Sequence, residues 1–200
     1  MNDEAWVEEG EAGCRLLLPL PPAGIVLPGF DHVAGLLAPS TATTHDVALA
    51  HRAGVTLLVA DDTGATAIGK AAAIGADGVV LGTDADPAAA RRRLGPDALI
   101  GVRCGMSRHA AMVAGEDGAD YVLFGEEDGT DDPEVLADLA SWWRALFVLP
   151  VAVCGPLDAR AQSVLMEAGA DFLVPPSRMW DDPQAAMDFL DSIAALLARK

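Results

Sequence analysis

Positive charge is scarce in this chain. Thirteen Lys and Arg stand against 30 Asp and Glu among 200 residues, a formal net charge of −17. A protein that grips nucleic acid must neutralise a run of phosphates, so this balance excludes a nucleic-acid binder. It equally disfavours an anionic membrane surface. Long hydrophobic runs are absent too, although hydrophobic residues make up 52%. No apolar block reaches the ~18 residues that a membrane helix needs. Met1-Asn2-Asp3-Glu4 has none of the basic character of a signal peptide. The three cysteines (Cys14, Cys104, Cys154) are odd in number and far apart, so they form no disulfide framework. A reduced, cytoplasmic setting is the expectation. There is no P-loop, no G-x-G-x-x-G and no zinc spacing; His32, His45 and His51 show no metal-ligand pattern, and His109 falls at a helix start.

An internal repeat is present. Gly75-Ala76-Asp77, Gly118-Ala119-Asp120 and Gly169-Ala170-Asp171 each follow an Ala-rich stretch and precede a short apolar run. The Gly suits a left-handed helix cap. The run is too short for a helix and continuously apolar, as in a parallel strand buried on both faces. Similar runs elsewhere bring the total to eight strands, starting near positions 15, 33, 55, 78, 99, 121, 150 and 172. Eight such units in one domain over 1–200 predict a small α/β fold, a (β/α)8 TIM barrel; a doubly wound open sheet is the alternative. Residues 1–13 read as a flexible N-terminal extension. Pro19-Leu20-Pro21-Pro22-Ala23-Gly24 and Pro28-Gly29 leave no room for a full helix between the first two strands, so the first βα unit is shortened.

Such barrels work at the C-terminal ends of their strands. Asp61 and Asp62 after strand three, and Asp84 and Asp86 after strand four, offer carboxylates to a hard cation such as Mg²⁺. The same residues also suit helix N-caps, and Asp86-Pro87 fits a cap well. Gly155, Ser177 and Arg178 after strands seven and eight offer backbone approach, a hydroxyl and a charge to a phosphate; Pro156 takes one N–H away. Arg103 and Cys104 end strand five. Cys104 and Cys154 are candidate nucleophiles at one rim, or else small buried hydrophobes. Of Trp142-Trp143, one ring is expected on the barrel and the other in a subunit contact, which makes a homodimer a candidate.

These units resemble a known family. Gly75 to Gly82 is similar to the fourth strand of thiamine phosphate synthases, and Leu94-Gly95-Pro96-Asp97 to Val102 to their fifth. Gly118 to Gly125 resembles their sixth, and Pro150 to Gly155 with Glu167 to Asp171 their seventh and eighth. The related thiazole tautomerases share these segments, and the likeness spans about 55–195. It implies a (β/α)8 barrel that joins hydroxymethylpyrimidine diphosphate to thiazole phosphate with Mg²⁺, releasing pyrophosphate. It also implies small phosphorylated ligands, with Asp61 and either Asp84 or Asp86 on the metal.

The family's functional positions are largely replaced. Leu37-Ala38-Pro39-Ser40-Thr41 stands where the family has Gln-Leu-Arg-x-Lys. Ala60-Asp61 replaces Asn-Asp, and Val80 and Thr83 replace His and Gln. Arg103 replaces Ser, and Glu126 to Asp132 replaces Thr-x-Thr-Lys. Gly155 and Ser177 match the thiazole-phosphate site, while Pro156 replaces its second Gly. Diphosphate-facing cations have thus given way to carboxylates, with Arg103 a partial substitute. The resemblance therefore implies a thiamine-linked protein of weak or lost activity. A non-catalytic regulatory barrel, or an enzyme on another phosphorylated metabolite, is the alternative.

Overall fold

The computed structural model describes residues 13–25, 27, 31–61, 64–126, 131–155 and 158–197. Eight strands follow one another as neighbours and close into a parallel barrel. They are β1 Arg15–Pro19, β2 Val33–Ala38, β3 Thr56–Ala60, β4 Gly78–Leu81, β5 Leu99–Arg103, β6 Tyr121–Phe124, β7 Val151–Cys154 and β8 Phe172–Val174. β8 pairs with β1 through Arg15 opposite Phe172 and Leu16 opposite Leu173, which closes the ring. Each start lies at the expected residue or one beyond it. The helices are α1 Thr44–Arg52, α2 Gly64–Ile74, α3 Pro87–Leu94, α4 Arg108–Glu116, α5 Pro133–Leu146, α6 Ala159–Glu167 and α7 Pro183–Leu197, with a short 3-10 helix at Ser177–Asp181. Among the described residues no helix joins β1 to β2, so the first unit is shortened as expected. The expected extension over 1–13 lies outside the described residues apart from Gly13.

Alternation along the strands sorts side chains into two layers. Leu57 and Val59, Val79, Val122 and Phe124, and Val151 and Val153 face the helices. Leu58, Val80, Tyr121, Leu123, Ala152 and Cys154 fill the barrel. Gly101 is needed in this inner layer, because a Cβ there would lie 2.3 Å from the Tyr121 ring.

The repeated Gly and Asp build the opposite, N-terminal face. Gly75, Gly118 and Gly169 adopt φ of +70°, +91° and +88°, the left-handed conformation that suits glycine. Each following Asp makes a reciprocal pair with the strand before it. Asp77 donates its N–H to the Leu57 carbonyl and accepts the Leu57 N–H at 2.8 Å. Asp120 does the same with Ile100, and Asp171 with Val151. A base from an outer helix then meets each carboxylate: His51, Arg91 and Arg144. The repeat therefore holds the barrel together at its base, where stability is built in this fold.

Candidate functional site at the barrel mouth

Arg103 has the same strand parity as Leu99 and Gly101, so its side chain points into the barrel mouth. Two cavities meet at it. One, of about 420 Å³, lies between the ends of β1, β2, β3, β7 and β8; Leu37, Ala60, Val174 and Trp180 line it together with Ser177 and Asp181. The other, of about 570 Å³, lies at the ends of β4 to β6, with Thr83, Gly105, Ser107 and Glu126 in its walls. Ser107 caps α4, its Oγ accepting the Ala110 N–H at 3.1 Å, so the positive end of that helix adjoins the second cavity. Glu126 Oε1 packs over Gly105, only 3.1 Å from where a Cβ would stand.

Tyr121 lies under this mouth. Its ring is buried and its hydroxyl has no hydrogen-bond partner among the described residues. Burial pushes the phenol well above its ordinary range, with the Arg103 guanidinium opposing the shift. The 3-10 helix after β8 brings Trp180 to the end of the neighbouring strand β1, where its Nε1–H donates to the Pro19 carbonyl at 3.0 Å. That bond fixes the ring as a wall of the first cavity. Tyr121, Trp180 and Asp181 are absent from the expectations drawn from sequence. Strand parity within Tyr121–Phe124 could have flagged the tyrosine; nothing local in the sequence announces the reach of Trp180 to Pro19.

The structure separates the residues expected to act together. Cys104 and Cys154 do not form one site: Cys104 packs in the outer layer and Cys154 in the inner one. The Cys104 thiol donates to the Val102 carbonyl at 3.4 Å, and burial pushes its pKa up to about 12. It is held as a neutral thiol, which is the wrong form for a nucleophile. Gly155 is buried, and its N–H donates to the Val174 carbonyl at 3.2 Å, so that donor is not open to a phosphate. Ser177 lines the first cavity; Arg178 is exposed and stands outside its walls. Asp86 serves as the N-cap of α3, accepting the Ala89 N–H at 3.1 Å, and pairs with Arg92 at 3.2 Å. Asp61 is half-buried and Asp84 exposed, at the ends of adjacent strands. Part of the acidic stretch 126–132 lies outside the described residues; within the rest, Asp131 accepts the Glu126 N–H at 2.6 Å and Asp132 caps α5. Trp143 packs against the barrel as expected, and Trp142 lies beneath Arg108, whose guanidinium carbon is 4.9 Å from the ring centre.

The family model described as thiamine monophosphate synthase matches residues 42–175. This chain belongs to that family. A thiamine-phosphate synthase of Hyphomonas neptunium is 37% identical over 182 residues, 86% of this chain and 79% of the relative. One of Rhodospirillum centenum is 43% identical over 118 residues; the match takes 56% of this chain and spans only 57% of the relative's length. Among solved structures, thiamine phosphate pyrophosphorylase of Pyrococcus furiosus superposes with a TM-score of 0.66 at 19% identity, covering 93% of this chain and 97% of that one. That likeness is one of fold.

Mg²⁺, the ion this thiamine monophosphate synthase family implies, meets a thin donor set. Among the described residues no three His, Cys, Asp or Glu stand close enough to hold a metal ion. With Asp86 engaged as a cap, Asp61 and Asp84 remain among the described residues; Asp62 lies outside them. Two carboxylates fit Mg²⁺ when substrate phosphate oxygens and water supply the other ligands. No helix among the described residues is long and apolar enough to cross a membrane.

Proposed function

We propose that this chain serves thiamine biosynthesis in the cytoplasm, binding hydroxymethylpyrimidine diphosphate at the barrel mouth and coupling it only slowly to a thiazole partner. The observation that carries this reading is Arg103, a basic side chain at an inward strand position where two cavities meet. A guanidinium grips phosphate oxygens bidentately, and the α4 N-terminus beside it adds partial positive charge. In the coupling, the bond from the pyrimidine methylene to the diphosphate breaks, pyrophosphate leaves, and the thiazole captures the cation left behind. Arg103 would stabilise the charge that develops on the leaving group. Asp61 and Asp84 would hold Mg²⁺ against the same oxygens, and the ion would supply further neutralisation.

We infer slow turnover from the balance of charge, by sequence, in the loops that follow the strands. Between the C-terminal ends of the strands and the next helices, the basic residues by sequence are Arg103 and Arg178, while carboxylates recur at Asp61, Asp62, Asp84, Glu126, Glu127 and Asp128. Carboxylates beside a bound diphosphate oppose it. The test is to mix purified protein, Mg²⁺ and both phosphorylated precursors, following thiamine phosphate formation and the melting temperature. The expected result is stabilisation by the pyrimidine diphosphate with slow product formation. No product and no thermal shift with either precursor would overturn the assignment.

A further inference from the structure

Apolar side chains left in water are unevenly spread over this barrel. Seven large hydrophobics are exposed among the described residues, and six of them (Met106, Met112, Val113, Val135, Leu146 and Val148) fall between β5 and β7. They sit on α4, on α5 and in the segments beside them. The two helices touch. The Arg108 guanidinium carbon is 4.9 Å from the centre of the half-buried Trp142 ring, and a Cβ at Gly115 would meet the Trp143 ring at 3.7 Å. On α5, Val135 and Leu146 share the side of Trp142, seven residues before it and four after. The exposed side chains therefore form one stripe over two neighbouring helices, the kind of surface that marks a protein contact.

The charges on α4 say what fits there. Ala111 and Ala114 are its buried residues, so His109, Met112, Val113 and Glu116, at helical spacing, face outward together. Arg108 and His109 stand at the N-terminal end, Met112 and Val113 in the middle, Glu116 and Asp117 at the C-terminal end, and all six are exposed. Among the described residues neither end takes part in an ion pair. Laid antiparallel on a copy of itself, this helix is self-complementary. A two-fold axis between positions 112 and 113 sets Met112 opposite Val113 of the second copy, and His109 opposite Glu116 of the second copy. A two-fold contact requires such self-complementarity; a partner of another kind does not. The balance of charge on α4 also matters for a chain of net charge −17, whose copies repel one another where acids stand unopposed.

We propose that this chain forms a two-fold dimer in which α4 packs antiparallel on α4 of a second copy, flanked by the α5 row of Val135, Trp142 and Leu146. Stable interfaces take about 800 Å² from each copy. Helix α4 is nine residues long, about 14 Å, too short to supply that alone, and the α5 row widens the contact. The dimer uses none of the groups assigned to the coupling reaction, so its test is separate from that of the thiamine activity.

Sedimentation equilibrium of the full chain over a wide range of concentration tests it, and the expected result is a reversible monomer–dimer equilibrium. Val113→Asp, beside the two-fold axis, should raise the dissociation constant at least about tenfold, because it buries a charge without a partner. Circular dichroism and melting at concentrations where the parent is monomeric should be unchanged. His109→Glu sets two acids face to face and Glu116→Arg sets two bases; each should weaken the dimer by about threefold or more. The double variant restores opposite charges and should return the affinity to within about twofold of the parent. That rescue separates α4 on α4 from any other arrangement of two copies. A chain that stays monomeric at every concentration overturns the proposal and leaves the stripe to a different protein. A dimer indifferent to Val113→Asp, or a double variant no better than the singles, overturns it as well.

Discussion

Arg91 holds both carboxylate oxygens of Asp120, each at 2.7 Å, across 29 residues of sequence. The same carboxylate accepts the Ile100 N–H at 2.7 Å. One side chain thus ties helix α3 to two strands at the base of the barrel. Asp120→Ala should cost about 1–2 kcal/mol, most of it from the backbone N–H left without its acceptor; the ion pair, partly exposed, adds little. Urea denaturation measures this. Because Asp120 lies at the face opposite the mouth, ligand binding should be unchanged. A variant as stable as the parent would show that the repeated aspartate does not hold the base.

Gly101 and Tyr121 share one space inside the barrel. Gly101→Ala should destabilise by about 1–3 kcal/mol through overpacking, since its Cβ would reach 2.3 Å from the Tyr121 ring. Tyr121→Leu removes that ring at a cost of its own. In the double variant the two losses should sum to clearly less than the separate ones, because the clash no longer exists. Additive losses would mean that the two residues do not meet.

Tyr121→Phe deletes a buried hydroxyl that has no hydrogen-bond partner among the described residues. Leaving such a group buried costs about 1–3 kcal/mol, so the variant should melt at the same temperature or higher. A clear drop in melting temperature would reveal a bound water on the hydroxyl.

Cysteine reactivity should follow burial. Cys14 is half-buried, whereas Cys104 and Cys154 are buried, so alkylation of the native protein near pH 8 should mark Cys14 first, by mass spectrometry. Cys104 titrates at about 12 when folded, against an ordinary value of 9.0. A raised folded value means that the unfolded chain loses its proton first. Stability is therefore full below pH 9.0 and declines as pH rises towards 12. Tyr121, raised from 10.0, acts in the same direction. Cys104→Ala should flatten part of that alkaline decline. An unchanged pH profile would count against burial as its cause.

Much of the barrel was legible because its elements are local and repeated. Short apolar runs set the strand positions to within a residue, and those of β3, β4, β6 and β8 are also announced by a Gly at the end of the helix before them. Strand parity within Leu99–Arg103 could also have placed Arg103 inward. The site was less legible for physical reasons. Whether Gly155 can meet a phosphate depends on the Val174 carbonyl beside it, which is a matter of register between strands. Cys104 does line the cavity at the end of β5, while its side chain packs in the outer layer, a matter of the turn just past the strand. Asp86 read as a ligand candidate whose Asp-Pro pair also fits a cap well, and its contacts with Ala89 and Arg92 show the cap. Trp180 reaches Pro19 from 161 residues away, a contact that no local pattern encodes.

Arg103 decides between the proposed binding and an inert mouth. Arg103→Ala should weaken the pyrimidine diphosphate by about tenfold to a hundredfold, the scale of a charge-assisted bidentate contact of roughly 1.5–3 kcal/mol. Arg103→Lys keeps the charge but loses the fork, so it should recover only part of the affinity. The loss should shrink with added salt, because the contact sits at an open mouth. Thermal stability in the absence of ligand should change little with Lys, which separates a binding defect from a folding one. If both variants bind as the parent does, the diphosphate does not sit at Arg103. Glu126→Gln sharpens the point from the other side: it removes a carboxylate from the same cavity wall, so it should strengthen diphosphate binding and weaken the dependence on salt.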